Sequence, residues 1–389
     1  MITLQLYEEE EFNRLIRPIM LISKVCAVWP QEDEEIETGT VLFRGIHLIS
    51  IFSLMVVTTC AVIIDVFYNM DNIEEATECA LIASAFSLSV LRISIYTIYR
   101  KEMLYVINTM RDDWLHSSYE DRLIIKDKTI FAYRLSKYFV SGVAMTIALF
   151  ICVPSLEVFV LGTSERMLPF RGYFFINHTV SPVFECLYAL NVSAGGIGGS
   201  TIAAATSFNF VVITHGSAKF ALLRRKLEAL DGGDSNAGAD MAACVARHKE
   251  AIEFAVTLER VISFLALGQF VISTGLLCFA GFQITAMMKD KGRLMKYVAF
   301  LNCAIFELFM FSFSGGGLID ESEAVGESAY SSGWIGTRLP RSLQIMMMRS
   351  RIPSKITAAK FYNLSLESFA TVLSTSFSYF TVLTAMNDD

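Results

Sequence analysis

Apolar positions collect into seven long stretches, at roughly 41–67, 77–99, 138–161, 183–213, 261–287, 294–314 and 364–386, with charged segments between them. Lipid offers no partner for a backbone N–H or C=O, so a helix that crosses a bilayer needs about 20 predominantly apolar residues. All seven stretches meet that length. The pattern predicts an all-α membrane protein with seven transmembrane helices. The fourth contains AGGIGGS at 194–200, whose glycines are read as surfaces for close helix packing ahead of a functional break, and the glycines at 315–317 are expected to end the sixth.

Composition agrees, since 53% of the 389 residues are apolar and the mean hydropathy is +0.48. Acidic runs at 8–11 and 32–35 occupy the place of a signal peptide's apolar core, so the first span is expected to direct insertion. Lys and Arg favour cytosolic loops. Alternate loops carry 24 and 6 of them, which puts the N-terminus in the cytosol and the C-terminus outside, although the short basic loop KDKGRLMK at 289–296 falls on the outer side. Asn177 begins a glycosylation sequon in an outward loop.

Chemistry is sparse. The net charge of −7, with no basic or repetitive tract, argues against nucleic acid. Eight scattered cysteines include no C-x-x-C pair, and the five histidines have no second ligand at metal spacing, so no disulfide framework, metal or other cofactor is expected. No P-loop, nucleophile elbow or dinucleotide pattern marks an enzyme. Ionisable residues in or beside the spans are Asp65, Arg92, Glu157, Glu185, Arg260, Glu307 and Glu367. Such residues are costly in lipid and invite a functional reading. Arg92 is expected to snorkel inward, and Glu307, the deepest, to pair with Arg260.

At 100° per residue the last stretch gathers Ser368, Thr371, Thr375, Ser378, Val382 and Met386 on one arc, opposite Leu366, Phe369, Leu373, Ser376, Phe377, Phe380 and Leu383. Hydroxyls in membrane helices bond their own i−4 carbonyls or neighbouring helices. A four-turn stripe can also line water, with the apolar pair Val382 and Met386 as a dewetting constriction. Glu367 stands at the other mouth, where it either suits the helix dipole or draws cations. The pattern alone leaves these readings open.

The segment 329–386 carries Y-x-x-x-W at 330–334, S-L-Q-x-M-M-x-R-S at 342–350, K-I-T-A-x-K-F at 355–361, S-L-E-x-F at 365–369 and S-Y-F-x-V-L at 378–383. In that order they resemble the C-terminal signature of the insect odorant receptors; the residue after Trp334, often Tyr in the family, is Ile335. The resemblance implies a subunit of a tetrameric, ligand-gated, non-selective cation channel in the plasma membrane of olfactory neurons, with the family's co-receptor as partner subunit, membrane lipid around it, permeating cations and a small volatile ligand. The short connector between spans four and five resembles a tuning subunit rather than the co-receptor. The implied division is a cytosolic segment 1–40, helices one to six with an outer-half pocket over 41–314, a cytosolic loop and anchor helix over 315–363, and a pore helix with a short outer tail over 364–389.

Carried over residue by residue, Tyr330, Trp334, Leu343, Met346 and Met347 belong to the subunit anchor, and Thr371, Thr375, Ser378, Val382 and Met386, with Glu367, to the pore. The implied pocket nominates Ser84, Phe86, Phe150, Pro154, Phe184, Tyr188, Asn191, Tyr297 and Phe300. The alternative is a G-protein-coupled or gustatory-type chemoreceptor. Against the former stand the inward N-terminus and the lack of a D/E-R-Y or N-P-x-x-Y motif at the third and seventh spans.

Overall fold

The computed structural model describes residues 2–30, 38–161, 168–176, 180–337 and 339–388. In chain order the elements are α1 (Ile2–Val25), α2 (Thr38–Tyr68), α3 (Ile73–Ile98), α4 (Arg100–His116), α5 (Tyr119–Leu161), α6 (Val183–Glu228), α7 (Ala237–Ala286), α8 (Lys291–Glu323), α9 (Val325–Tyr330), α10 (Pro340–Ser350), β1 (Thr357–Ala358), β2 (Tyr362–Asn363) and α11 (Leu366–Asp388). Seven helices, α2, α3, α5, α6, α7, α8 and α11, are long and apolar enough to cross a membrane. They coincide with the seven predicted stretches. Asn177 lies outside the described residues.

Three helices run well past the apolar stretches that announce them. α5 begins at Tyr119, α6 continues to Glu228 and α7 starts at Ala237. Hydropathy reports only the length that needs lipid, whereas a helix satisfies its backbone internally in either solvent. The charged extensions hold one another through ion pairs such as Lys226–Asp121 at 3.0 Å and Arg224–Glu321 at 2.8 Å.

Neither glycine cluster breaks a helix: 194–200 serves close packing, the favoured reading, whereas 315–317 does not end the sixth span as expected. α6 runs through 194–200 without interruption because its glycines admit neighbours: a Cβ on Gly195 would collide with the Phe170 ring, one on Gly199 with Ile147, and one on Gly198 would sit 3.1 Å from Phe86. α8 runs through 315–317, where a Cβ on Gly315 would collide with Leu364. Close approach, not termination, is what these residues supply.

α6 is the hub, packed by α5, α8, α7, α3 and α1. α11 sits at the edge, chiefly against α7 and α8, and only 11% of its apolar window is buried within the chain. Its start is pinned by the antiparallel hairpin β1–β2, in register Thr357↔Asn363 and Ala358↔Tyr362. Three residues, 359–361, connect the strands; Ala359 and Lys360 both take left-handed φ values, 46° and 67°, in a turn closed by Phe361 N donating to Ala358 O at 3.0 Å. Glu259 of α7 clamps β1 by accepting from Thr357 N at 2.6 Å and from its hydroxyl at 2.5 Å. The K-I-T-A-x-K-F element is thus a clasp that sets where α11 enters the bundle.

Candidate functional site

A largely apolar cavity of about 100 Å³ lies inside the bundle. α3 contributes Phe86 and Ser89, α5 Phe139, Thr146 and Phe150, α6 Gly195, Gly198 and Gly199, and α8 Phe300, Cys303 and Glu307. The α6 glycines explain why space exists here, since side chains at those positions would fill it. Apolar and aromatic walls with few polar groups are the usual lining of a small-molecule site.

One end is closed by Phe170, from the segment 168–176 between α5 and α6. Its ring stacks on Phe150, with centroids 5.7 Å apart, and meets Phe86 edge-on at 5.5 Å. Three ties hold the segment: Phe170 N donates to Asn191 Oδ1 at 3.1 Å, Tyr173 N to Ala61 O at 2.9 Å, and Arg171 pairs with Glu75 at 2.6 Å. Burial works to lower the pKa of Arg171, but the Glu75 hydrogen bond and the charges of Glu75 and Glu78 outweigh it and raise the value.

The other end is closed by Glu307, and here the predicted pairing is wrong. Arg92, fully buried, does not snorkel; it forms the ion pair with Glu307, and Arg260 is not the partner. Arg92 also donates to Gln269 Oε1 at 2.5 Å, and Thr206 donates to Glu307 at 2.8 Å. Helices α3, α6, α7 and α8 therefore meet in one polar knot. A charge buried at this depth persists only when paired.

Of the nine nominated pocket residues, Phe86, Phe150 and Phe300 line the cavity. The other six serve elsewhere. Tyr297 backs Phe150 edge-on at 6.0 Å and gives its hydroxyl to Glu78, which also pairs with Lys296 at 3.2 Å. Asn191 holds the Phe170 backbone, Tyr188 donates to Ile151 O at 3.1 Å and packs on Phe184, and Pro154 is buried within α5. Ser84 bonds Ala80 O at 2.7 Å and faces a groove with α2 and α7. Phe170 and Glu307 were not nominated for the pocket. The first lies in a loop without periodicity, and the second was assigned a different partner.

On α11, Thr371, Ser378, Val382 and Met386 point away from the bundle; Val382 is 58% exposed and Met386 61%. Thr375 is half-buried, and Ser368 turns inward to bond Asn363 O at 2.6 Å. Glu367 is exposed in the first turn, where Ser365 accepts from Ser368 N at 3.3 Å. The other stripe hydroxyls donate within their own helix, Thr371 to Glu367 O, Thr375 to Thr371 O and Ser378 to Ser374 O, at 2.8–3.0 Å. In the anchor region Leu343 and Met346 are buried in this chain and Trp334 and Met347 half-buried, while Tyr330, Ile345 and Met348 are exposed.

These features define a multi-pass helical membrane protein with a largely apolar chamber among α3, α5, α6 and α8 and a peripheral last helix. The family model described as 7tm Odorant receptor matches residues 72–377, and the chain belongs to that family, whose members are receptors and not enzymes. It is 27% identical to odorant receptor 13a of Drosophila melanogaster over 273 residues, 64% of this chain and 65% of that one, so the match spans less than two thirds of the relative. Odorant receptor 22c of the same species is 24% identical over 92% of this chain and 94% of its own length. The odorant receptor coreceptor of that fly is 30% identical over 36% of this chain. The fold matches the structure of the insect olfactory receptor OR5 from Machilis hrabei in complex with eugenol, with a TM-score of 0.85 at 16% identity, covering 97% of this chain and 100% of that one. None of these matches supports the G-protein-coupled alternative.

Proposed function

We propose that the chain is the odorant-binding, tuning subunit of a heteromeric, ligand-gated, non-selective cation channel, assembled with the odorant-receptor co-receptor in olfactory neurons. In this reading the N-terminus is cytosolic, the C-terminus is extracellular, the chamber beneath Phe170 takes a small volatile molecule, and α11 lines the pore. The observation that carries it is the outward stripe of α11. A helix that packs on α7 and α8 and turns Thr371 and Ser378 outward, beside exposed Phe377 and Tyr379, carries a polar stripe that can face water. Because each hydroxyl proton is engaged by a carbonyl of its own helix, the lone pairs face outward, as a wall for passing cations requires.

Val382 and Met386 form the constriction at the outer end, and Glu367 stands at the inner mouth. The anchor is drawn from the exposed Tyr330, Ile345 and Met348 with the half-buried Trp334 and Met347, while Leu343 and Met346 hold α10 to its own chain. Ligand shifts the closed–open balance by its differential affinity for the two states. An odorant panel on cells expressing the chain with and without the co-receptor tests the assignment: currents that need both subunits are expected. Equal responses from the chain alone would remove the co-receptor from it.

A further inference from the structure

We propose that Glu307 selects the ligand's chemistry: the chamber takes neutral hydroxyl compounds, alcohols and phenols, in preference to hydrocarbons, ethers or amines of the same size. This rests on the reading of the chamber as the odorant site.

The polar side chains on its wall share a property, because their hydrogens are already committed. Ser89 donates to Ala85 O at 3.1 Å and Gly198 O at 3.3 Å, and Thr146 donates to Gly142 O at 3.0 Å and lies 3.3 Å from Cys303 Sγ. Glu307 is held through one oxygen, Oε1, by both Arg92 and Thr206. Its Oε2 accepts nothing from the described residues and is not among the atoms sealed from contact, so it is the acceptor Glu307 offers to the chamber. The wall therefore presents acceptors against an otherwise apolar surround.

Three consequences follow for a guest. A hydroxyl can donate to Oε2 and gains a charge-assisted hydrogen bond in a place without competing solvent. An ether oxygen meets only like lone pairs, and a hydrocarbon leaves the carboxylate oxygen unpaired. An ammonium ion fares worse than its charge suggests. Arg92 already neutralises Glu307, so a third charge would be buried without a counter-ion.

The test uses isosteric sets, such as 1-hexanol, heptane and butyl ethyl ether or phenol and toluene, extended over linear, branched and cyclic frames. Half-maximal concentrations would be read as currents in cells co-expressing the co-receptor, and as thermal shifts of the purified assembly. The hydroxyl member is expected to be about tenfold to a hundredfold more potent. The preference should collapse toward unity in the balanced variant R92M/E307M, whose surface labelling reports folding. Equal potency within the sets in the wild type overturns the proposal whatever the variant does, and so does a preference that survives in a surface-expressed double variant. Gly199→Leu, which fills the chamber, separates the two readings. If responses persist in it, the chamber is not the odorant site; if it abolishes responses that never favoured hydroxyls, the chamber stands and the role of Glu307 falls.

Discussion

Asn191 accepts the backbone N–H of Phe170 at 3.1 Å, so a residue in the third turn of α6 fixes the aromatic roof of the chamber. The same side chain donates to Leu187 O at 3.2 Å, which leaves it little freedom to turn away. Replacing it with Leu removes a bond contributing about 1 kcal/mol. Amide exchange in peptides covering 168–176 should then quicken by about fivefold, with α3 unchanged. Unaltered exchange would mean that Arg171 and Tyr173 hold the segment without it.

The knot beneath the chamber yields a double-mutant cycle. Arg92→Met strands a buried carboxylate and is expected to cost about 3–5 kcal/mol, while R92M/E307M should return to within about 1–2 kcal/mol of the parent. Thermal unfolding in detergent and surface labelling both read this. A double variant no better than the single would show that the two residues do not act as a unit.

If Val382 forms the proposed constriction, Val382→Ser is expected to raise current in the absence of ligand several-fold when co-expressed with the co-receptor, because a polar side chain removes the dewetting barrier. Val382→Phe should depress the ligand-evoked current. Whole-cell recordings with both variants unchanged would take Val382 out of the gate.

Acid sensitivity should trace partly to α4. Burial works to raise the pKa of Asp113, but His215 at 2.9 Å and Lys219 at 2.6 Å outweigh it and hold the carboxyl below its ordinary 3.8. A depressed folded value means that the stabilisation is complete above pH 3.8 and is lost as pH falls through the lower folded value. Asp113→Asn is expected to cost about 2 kcal/mol at pH 7, a difference that shrinks at pH values below the folded one. A stability gap independent of pH would show that the substitution acts through packing.

The number and place of the spans were legible because lipid imposes a minimum apolar length on each, and nothing else in the sequence speaks so loudly. The extent of the helices was not, since α5, α6 and α7 leave the apolar zone on charged residues that pair across the bundle. Gly315 looked like a stop because its need for space is set by Leu364, far along the chain. The pairing of Arg92 with Glu307 was hidden for the same reason, across 215 positions. In the chamber, the resemblance named the helices that wall it but no rotation, so Phe86, Phe150 and Phe300 fall on the wall while Tyr297, nominated with them, does not. The stripe on α11 was readable in advance because one helix's own periodicity contains it, all but Ser368.

That stripe has a consequence for how such a chain waits for its partners. Hydroxyls whose protons are bonded to their own helix can face hydrocarbon without an orphaned donor, and face water once a pore closes around them. The last helix is therefore built for two solvents in succession. In the assembly proposed above, a lone subunit would stand in the bilayer with this stripe turned to lipid, and pore formation would change the medium along α11 without rewiring those bonds.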